Sequence, residues 1–583
     1  MILKALYDYY NRCDNLPSKG MAYVNFFYAI VIDQEGKFIR LESLGDEEGI
    51  SLLTLRPEER TSSPVAHCMG DNGSYVLGLV DIDNSVDFQK ELKVNSKNYD
   101  CFRKDIESIY SNLPMNNTAK AVYLFYQKYG SETIKEMEKD AYWSGLCKIL
   151  KAKKNITFKV NGEKTFAVCD KEILDYKIAS RINENSECIC LISGKKEKPV
   201  NTTYSSFILK SKSNAKLVSF QINSGYDSYG KKMGLNAPIS EDAEFKYTTA
   251  LLHLLRKDSK NKFILGTRTF IFWASNNNEA SLEVEESLFE LLGFQEEKND
   301  DPNANLMKVR KVFESIYSGI LKTGLDDKFY ILGLAPNSAR IAVVYWSETT
   351  LKDFAEKILD HFNDMEIHDT RKDKKPYTGI KKIVSSVSLE GDISKTAPNL
   401  PETVVKSIFQ GMPYPVSLFQ ACIRRIRAEV AFEKNGKKIN PINIYRAAII
   451  KAYLNRQSNN NKKIDIMLDK DNNNQGYLCG RLFAVLDKIQ EDANNISSIR
   501  ERYMNAASAT PSAVFATILN LSVHHSEKLD GGKRIYFEKL KQEILDKVSA
   551  NGFPTHLDLQ DQGRFFVGYY HQRQDFFTSK KEQ

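Results

Sequence analysis

The stretch Leu559–Phe577 constrains this chain more than any other. Read as a helix, it carries Phe565, Phe566, Tyr569, Tyr570, Phe576 and Phe577 around its whole circumference. A helix that is apolar on every side is stable only among other helices, so the tail is predicted to be a helical bundle. Its partners follow from apolar periodicity. Tyr477–Asn494 would bury Leu478, Leu482, Val485 and Ile489. Pro511–His525 starts with Thr510 as N-cap and Pro511 at the first helical position. Ile535–Ala550 stops at Asn551-Gly552. Asparagine-rich loops, Gln457–Asn461 and Asp471–Gln475, precede this set.

Upstream the pattern is mixed. Met1–Tyr10 reads as a helix burying Ile2, Leu3, Leu6 and Tyr10. Tyr23–Ile32 and Lys37–Leu44 read as strands joined by the turn Asp33–Gly36. Residues 86–153 read as helical, with Phe125, Ile134, Met137 and Trp143 inward. Residues 155–225 read as mostly β, in Ile156–Val160, Thr165–Val168, Cys188–Ser193 and Leu217–Ile222. A helix over Ala243–Leu255, a strand over Phe263–Ala274, a hairpin of Phe329–Leu334 with Arg340–Trp346, and a helix over Leu351–Phe362 follow. The strand signal fades near residue 400. The fold class is therefore α+β: a mixed body with hairpins over 1–400, then a helical bundle over 401–583.

The net charge is +7, mildly basic, which is compatible with a nucleic-acid partner without requiring one. The positive charge gathers between Gly411 and Arg456, with nine Lys or Arg against two Asp or Glu. There a helix from Pro415 turns Leu418, Cys422, Ile426 and Val430 inward, while Arg424 and Arg427 share another face. Arg425, Arg446, Lys451 and the later Arg481 complete a set of cations suited to tracking a nucleic-acid strand. The run Gly194–Lys198 reads as a solvated turn.

The nine cysteines are scattered, with no Cys-x-x-Cys, so neither a zinc site nor a disulfide framework is expected. The N-terminus lacks a signal-peptide pattern and no apolar run is long enough to span a membrane. A cytoplasmic protein with reduced thiols is the expectation. The usual phosphate-loop, zinc-protease and nucleophile-elbow patterns are absent, and no carboxylates cluster as a nuclease metal pair would. His524-His525 points to two helix faces, and His571 reads as a packing residue. The expectation is a chain with no catalytic residues, metal or cofactor.

Two loops carry the chemistry that remains. Ser228–Ser240 holds Lys231 and Lys232 between Gly230 and Gly234, with Tyr229 and Asn236 beside them and Pro238 at the exit. Two cations on a bendable backbone can enter a groove. The second loop starts at Arg60, Thr61 and Ser63 and runs to Asn72-Gly73-Ser74. Arg60 could meet a phosphate, and Asn72 and Ser74 base edges; an Asx turn explains Asn72 equally well.

Particular segments also carry a resemblance. They include Met1–Tyr10, Asp71–Gly78, Ser228-Tyr-Gly230 with Asn236-Ala-Pro238, Phe272-Trp-Ala274 and Gly333–Asn337. Gly411–Pro415, Gly480–Phe483, Phe553–His556, Gln562-Gly563 and Gly568–Arg573 continue it. Nearly end to end, the chain resembles the large subunit of the type I-C CRISPR surveillance complex, Cascade. The resemblance implies a non-catalytic protein that recognises a protospacer-adjacent motif in duplex DNA, assists strand opening and steadies the displaced strand. It implies as partners the guide-RNA-bound backbone subunits, a 5′-handle-binding subunit, a small helical subunit, target duplex DNA and a helicase-nuclease. The small subunit would be translated from within the same gene, and Met467 is the candidate start, giving a product over 467–583. Relatives often carry glutamine where this chain has Met233, so a glutamine wedge does not carry over to that position. A nuclease and a purely structural ribonucleoprotein scaffold are the competing readings.

Overall fold

The computed structural model describes residues 2–45, 48–60, 63–80, 88–180, 187–220, 227, 229–291, 302–370, 378–430, 433–434, 437–438, 440–457, 463–495 and 498–578. The class is α+β, with small sheets and a helical C-terminal region. Packing divides the chain near residue 254 and not near 400. One unit comprises 3–206 with 216–253; the other comprises 207–215 with 254–583.

The first unit is built on a strand whose sequence changes character midway. β1 (Met21–Ile32) alternates at first and then runs Phe26-Phe-Tyr-Ala-Ile-Val-Ile32 without a polar residue, and that half is buried on both faces. Three strands pair with it. β2 (Phe38–Ser43) and β3 (Ile50–Leu55) follow one another antiparallel along it, and β5 (Asn155–Val160) runs parallel to it. A short β4 (Gly70–Asn72) adds to β5. The turn into β2 is the predicted one. Asp33 accepts from the backbone N–H of Glu35 and Lys37 at 2.9 and 2.8 Å. Gly36 takes φ +78°, and a Cβ there would meet the Phe125 nitrogen at 2.3 Å. Helices Ser96–Asn112 and Asn117–Lys128 cover the sheet, with Phe125 edge-on to Phe158 at 5.2 Å.

The β expectation for 155–225 holds only for β5. Thr165–Val168 leads into a 3-10 turn and a helix, Lys171–Ser180, whose first turn is capped by Asp170. Cys188–Ser193 shrinks to a two-residue β6 (Cys188–Ile189), paired with β7 (Lys196–Glu197). Leu217–Phe220 forms no strand, and residues 221–226 lie outside those described. The reason is visible at 204–205. Their backbone N–H groups donate to the carboxylates of Glu244 and Glu59, at 2.8 and 2.7 Å, so side chains take the place of a neighbouring strand.

The second unit starts with an antiparallel meander: β8 (Lys262–Leu265), β9 (Arg268–Ala274), β10 (Lys328–Asn337) and β11 (Arg340–Thr350). The single strand expected over Phe263–Ala274 is a hairpin turning at Gly266, which has φ +66°. Phe263, Phe270, Phe272, Phe329 and Tyr345 belong to the same core as Leu418, Ile450, Leu482 and Phe566. That shared core is why no boundary falls at 400. The helices of this region are Val416–Ala428, Ile444–Gln457, Gln475–Asn494, Ser498–Ala507, Pro511–Ser526, Gly531–Leu545 and Leu559–Asp575. Thr510 makes no side-chain cap; its hydroxyl donates to the Ala506 carbonyl at 3.3 Å instead. Phe565, Phe566, Tyr569 and Tyr570 are buried as expected, whereas Phe577 is exposed.

Candidate nucleic-acid interface

In the Ser228–Ser240 loop, Tyr229 is wholly exposed, and Lys231 and Lys232 project into solvent. Ser228 lies outside the described residues. Tyr229, Gly230 and Met233 all have positive φ, at +51°, +73° and +47°. Two of the three are not glycine, a conformation that surrounding contacts must hold. Asp227 supplies one such contact. Its carboxylate accepts from the Met233 N–H and from the Asn236 side-chain amide, both at 3.0 Å, and that amide also donates to the Met233 carbonyl. Asn236 therefore braces the loop from within.

The base of the loop is equally fixed. Gly234 donates to the Asn201 carbonyl at 3.2 Å. A Cβ at Gly234 would lie 1.9 Å from the Val200 carbonyl oxygen, so only glycine fits there. Val200 pairs with Ile239, and Glu241 with Lys198, each at 2.9 Å. Beneath them Arg56 binds both oxygens of Glu244 at 3.0 and 3.3 Å and Thr248 at 2.9 Å, with its guanidinium 3.9 Å from the Tyr204 ring centre. Glu59 holds Ser205 through N–H and hydroxyl. No sequence pattern marks this clamp, since Arg56 and Glu244 are far apart in the chain.

Cys190 joins the same base. Its sulfur accepts from the N–H groups of Ile192, Ser193 and Ser240 at 3.4, 3.5 and 3.3 Å. Burial works against the thiolate, but the hydrogen bonds from Ser193 and Ser240 outweigh it and bring the thiol down to about 7.

The other loop does not stand open. Arg60 ion-pairs with the fully buried Asp71, donates to the Val65 carbonyl at 2.9 Å and lies 4.0 Å from the Tyr75 ring centre. Asn72 caps the turn Gly73–Val76 by accepting from the Ser74 N–H and hydroxyl at 3.1 and 2.7 Å. Ser74 is buried and accepts from Asn98 at 3.2 Å. The Asx turn is present, and Arg60, Asn72 and Ser74 all have partners within the fold. Ser63 is exposed, and Thr61 lies outside the described residues. Among the described residues no hydrogen bond joins Asn72 or Ser74 to Tyr229, Lys231 or Lys232.

The basic set of the second unit separates in two. Arg424 is exposed, Arg425 pairs with Glu429 at 3.5 Å, and Arg427 donates to Gln562 at 2.9 Å. The three line one shallow depression of about 510 Å³ with Val387, Ala421 and Ala428. Arg446, Lys451 and Arg481 are instead interior, 5%, 3% and 0% exposed. Arg446 pairs with Glu429 at 2.6 Å and donates to the Ser386 and Pro441 carbonyls. Arg481 is held by Gln572 and Glu543, each at 3.1 Å. Burial pushes the Lys451 ammonium down, opposed by Asp364, Glu366 and Asp465. These three cations do not line a strand path, because the helices carrying them are buried on the side that charge counting places outside.

Among the described residues no cluster of three or more His, Cys, Asp or Glu is arranged to hold a metal ion, and no helix is long and apolar enough to cross a membrane. His571 is buried, with its Nδ1 2.9 Å from the Tyr477 hydroxyl.

No curated protein matches the chain. The sequence profile of the family described as CRISPR-associated protein (Cas_Csd1) matches residues 6–577. With nearly its whole length covered, the chain belongs to the Cas_Csd1 family of CRISPR-associated proteins.

Proposed function

We propose that this protein is the non-catalytic large subunit of a type I-C Cascade complex, and that it recognises the protospacer-adjacent motif of duplex DNA through the Tyr229–Lys232 loop. The supporting observation is a contrast within one segment. The tip exposes an aromatic ring and two lysines, while its base is fixed by Asp227, Gly234 and the Arg56–Glu244 clamp. A rigid base with a free cationic tip suits insertion into a groove, because the ordering cost is met before the duplex arrives. In such a complex guide pairing reads the long sequence, and protein reads only a short duplex element.

Within this reading Lys231 and Lys232 contact phosphates or part the strands, and Arg424 with its neighbouring depression follows the displaced strand, aiding R-loop stability. The guide-RNA-bound backbone subunits, the 5′-handle-binding subunit, a small helical subunit started at Met467 and the helicase-nuclease are its partners. The cytoplasm is its place.

The test uses the assembled complex and a duplex bearing the motif. Lys231→Glu with Lys232→Glu is expected to weaken binding and flatten its salt dependence, by about 0.9 in the log–log slope for each phosphate no longer neutralised. Unchanged binding across salt concentrations removes the loop from the mechanism. Metal-dependent cutting by the isolated chain would favour the nuclease alternative.

A further inference from the structure

The run Gly194–Lys198, which reads from sequence as a solvated turn, is the return arm of a small ribbon. β6 and β7 pair Cys188 with Glu197 and Ile189 with Lys196. The turn closes through Gly194 N–H to the Cys190 carbonyl at 2.9 Å, with Gly194 at φ +73°. The ribbon is fastened to the Ser228–Ser240 loop at three points. Leu191 N–H donates to the Pro238 carbonyl at 3.0 Å, Ser240 N–H donates to the Cys190 sulfur at 3.3 Å, and Pro199 bridges to Ser240.

Alternation sets what the ribbon presents. Cys190 turns inward and is 1% exposed, so Ile189 and Leu191 turn outward, and they are 61% and 60% exposed. Tyr229 and Leu235 add further exposed apolar surface on the adjoining loop. Lys195, Lys196, Lys231 and Lys232 are all exposed, and none forms an ion pair among the described residues. Of the carboxylates on these two segments, Glu241 pairs with Lys198, Glu197 accepts from the Ser193 hydroxyl, Asp227 accepts from Met233 and Asn236, and Glu187 is exposed at the start of the ribbon. Cations outside any ion pair, interleaved with solvent-facing apolar side chains, fit a polyanion that also offers apolar edges. Duplex DNA has both, phosphates along its strands and sugar and base faces into which Leu and Ile can wedge.

We infer that the 188–197 ribbon is a second DNA-contacting arm acting with the 229–236 loop. Lys195 and Lys196 engage phosphates, and Ile189 and Leu191 pack on the sugars or base edges of the same duplex. This rests on the reading of the loop as a duplex reader.

Three variants of the full chain, each in the assembled complex, test it on a motif-bearing duplex titrated across salt. Lys195→Glu with Lys196→Glu is expected to lower affinity and reduce the salt slope by about 1.8, the equivalent of two phosphates. Ile189→Ser with Leu191→Ser is expected to lower affinity at unchanged slope. Lys231→Glu with Lys232→Glu is the reference. If the reference weakens binding while both ribbon variants bind like wild type, the ribbon assignment is overturned and the loop reading stands. If all three bind like wild type, the loop reading falls and takes the ribbon with it. If the ribbon variants drop out of the complex yet melt normally, the surface is a protein contact and the DNA assignment is wrong. Lys195→Gln with Lys196→Gln, a milder pair, is expected to give the same slope change should the charge swap hinder folding.

Discussion

Gly480 lies so close to Phe565 that a Cβ on the glycine would sit 1.9 Å from the Phe565 carbonyl oxygen. The helices Gln475–Asn494 and Leu559–Asp575 thus meet backbone to backbone, and Gly568 repeats the contact against the Tyr477 carbonyl at 2.3 Å. Gly480→Ala should push the helices apart and cost at least the ~1–3 kcal/mol usual for overpacking, read as a lower denaturation midpoint. A midpoint equal to wild type would mean that the helices separate freely at this point.

Arg481 and Arg424 make opposite predictions, although charge counting along the chain places both on a strand path. Arg481→Ala leaves the buried Gln572 without its partner, while the part-exposed Glu543 can turn to water, and should destabilise by at least ~1–3 kcal/mol. Arg424→Ala, at an exposed site, should change stability by less than ~0.5 kcal/mol and weaken binding of single-stranded DNA. Chemical denaturation alongside a single-strand binding titration separates the two.

The second unit should be acid-sensitive. Burial, with Arg456 adding to it, lowers His361 to about 3; burial, with Lys451 and His368, does the same for His571. Both are neutral in the fold, whereas the unfolded chain takes up protons near 6.5. Between 6.5 and about 3 the unfolded state binds more protons, so stability falls as pH falls, by up to ~1.4 kcal/mol per pH unit for each histidine. Denaturant midpoints at pH 7, 6 and 5 check this. His571→Gln should make the decline shallower.

Asp227 should matter for the loop and little for the fold. Asp227→Ala removes the acceptor for Met233 and Asn236, so the tip loses its positive-φ conformation. Faster proteolytic cleavage between Tyr229 and Asn236, at an unchanged melting temperature, is the expected result. A drop in melting temperature with no change in cleavage would contradict it.

The junction at Cys190 has its own pH dependence. The thiol lies at about 7 in the fold, against an ordinary value near 9. A depressed acid stabilises fully above the unfolded value and loses that contribution as pH falls through 7. Amide exchange at Ile192, Ser193 and Ser240, corrected for its intrinsic pH dependence, should show protection rising from pH 7 to 9. Cys190→Ala should abolish the rise.

Long apolar patterns are legible in the sequence; long-range polar pairings are not. The second half of β1, the Asp33–Gly36 turn and the all-round aromatic helix each follow from neighbouring residues. The segment 199–220 misleads because it holds itself with Glu59 and Glu244, whose role no local pattern marks. The site divides in the same way. Lys231 and Lys232 stand where their flanking glycines imply, and the shared face of Arg424 and Arg427 is real. Arg60 is drawn inward, and Asn72 takes the Asx turn, beside Asp71, a fully buried carboxylate that composition does not disclose. Arg446, Lys451 and Arg481 depart from it because counting charge along a helix ignores which face the neighbouring helices cover.

The common core from Phe263 to Tyr570 bears on how the tail behaves when made alone. Gly563 rests against Phe419 and Ile450, and Gln562 receives Arg427. A polypeptide begun at Met467 would keep one side of that seam and lack the other. It would enter solution with a sticky groove where Phe419 and Ile450 had been, and would stay dispersed only once another chain clasped it.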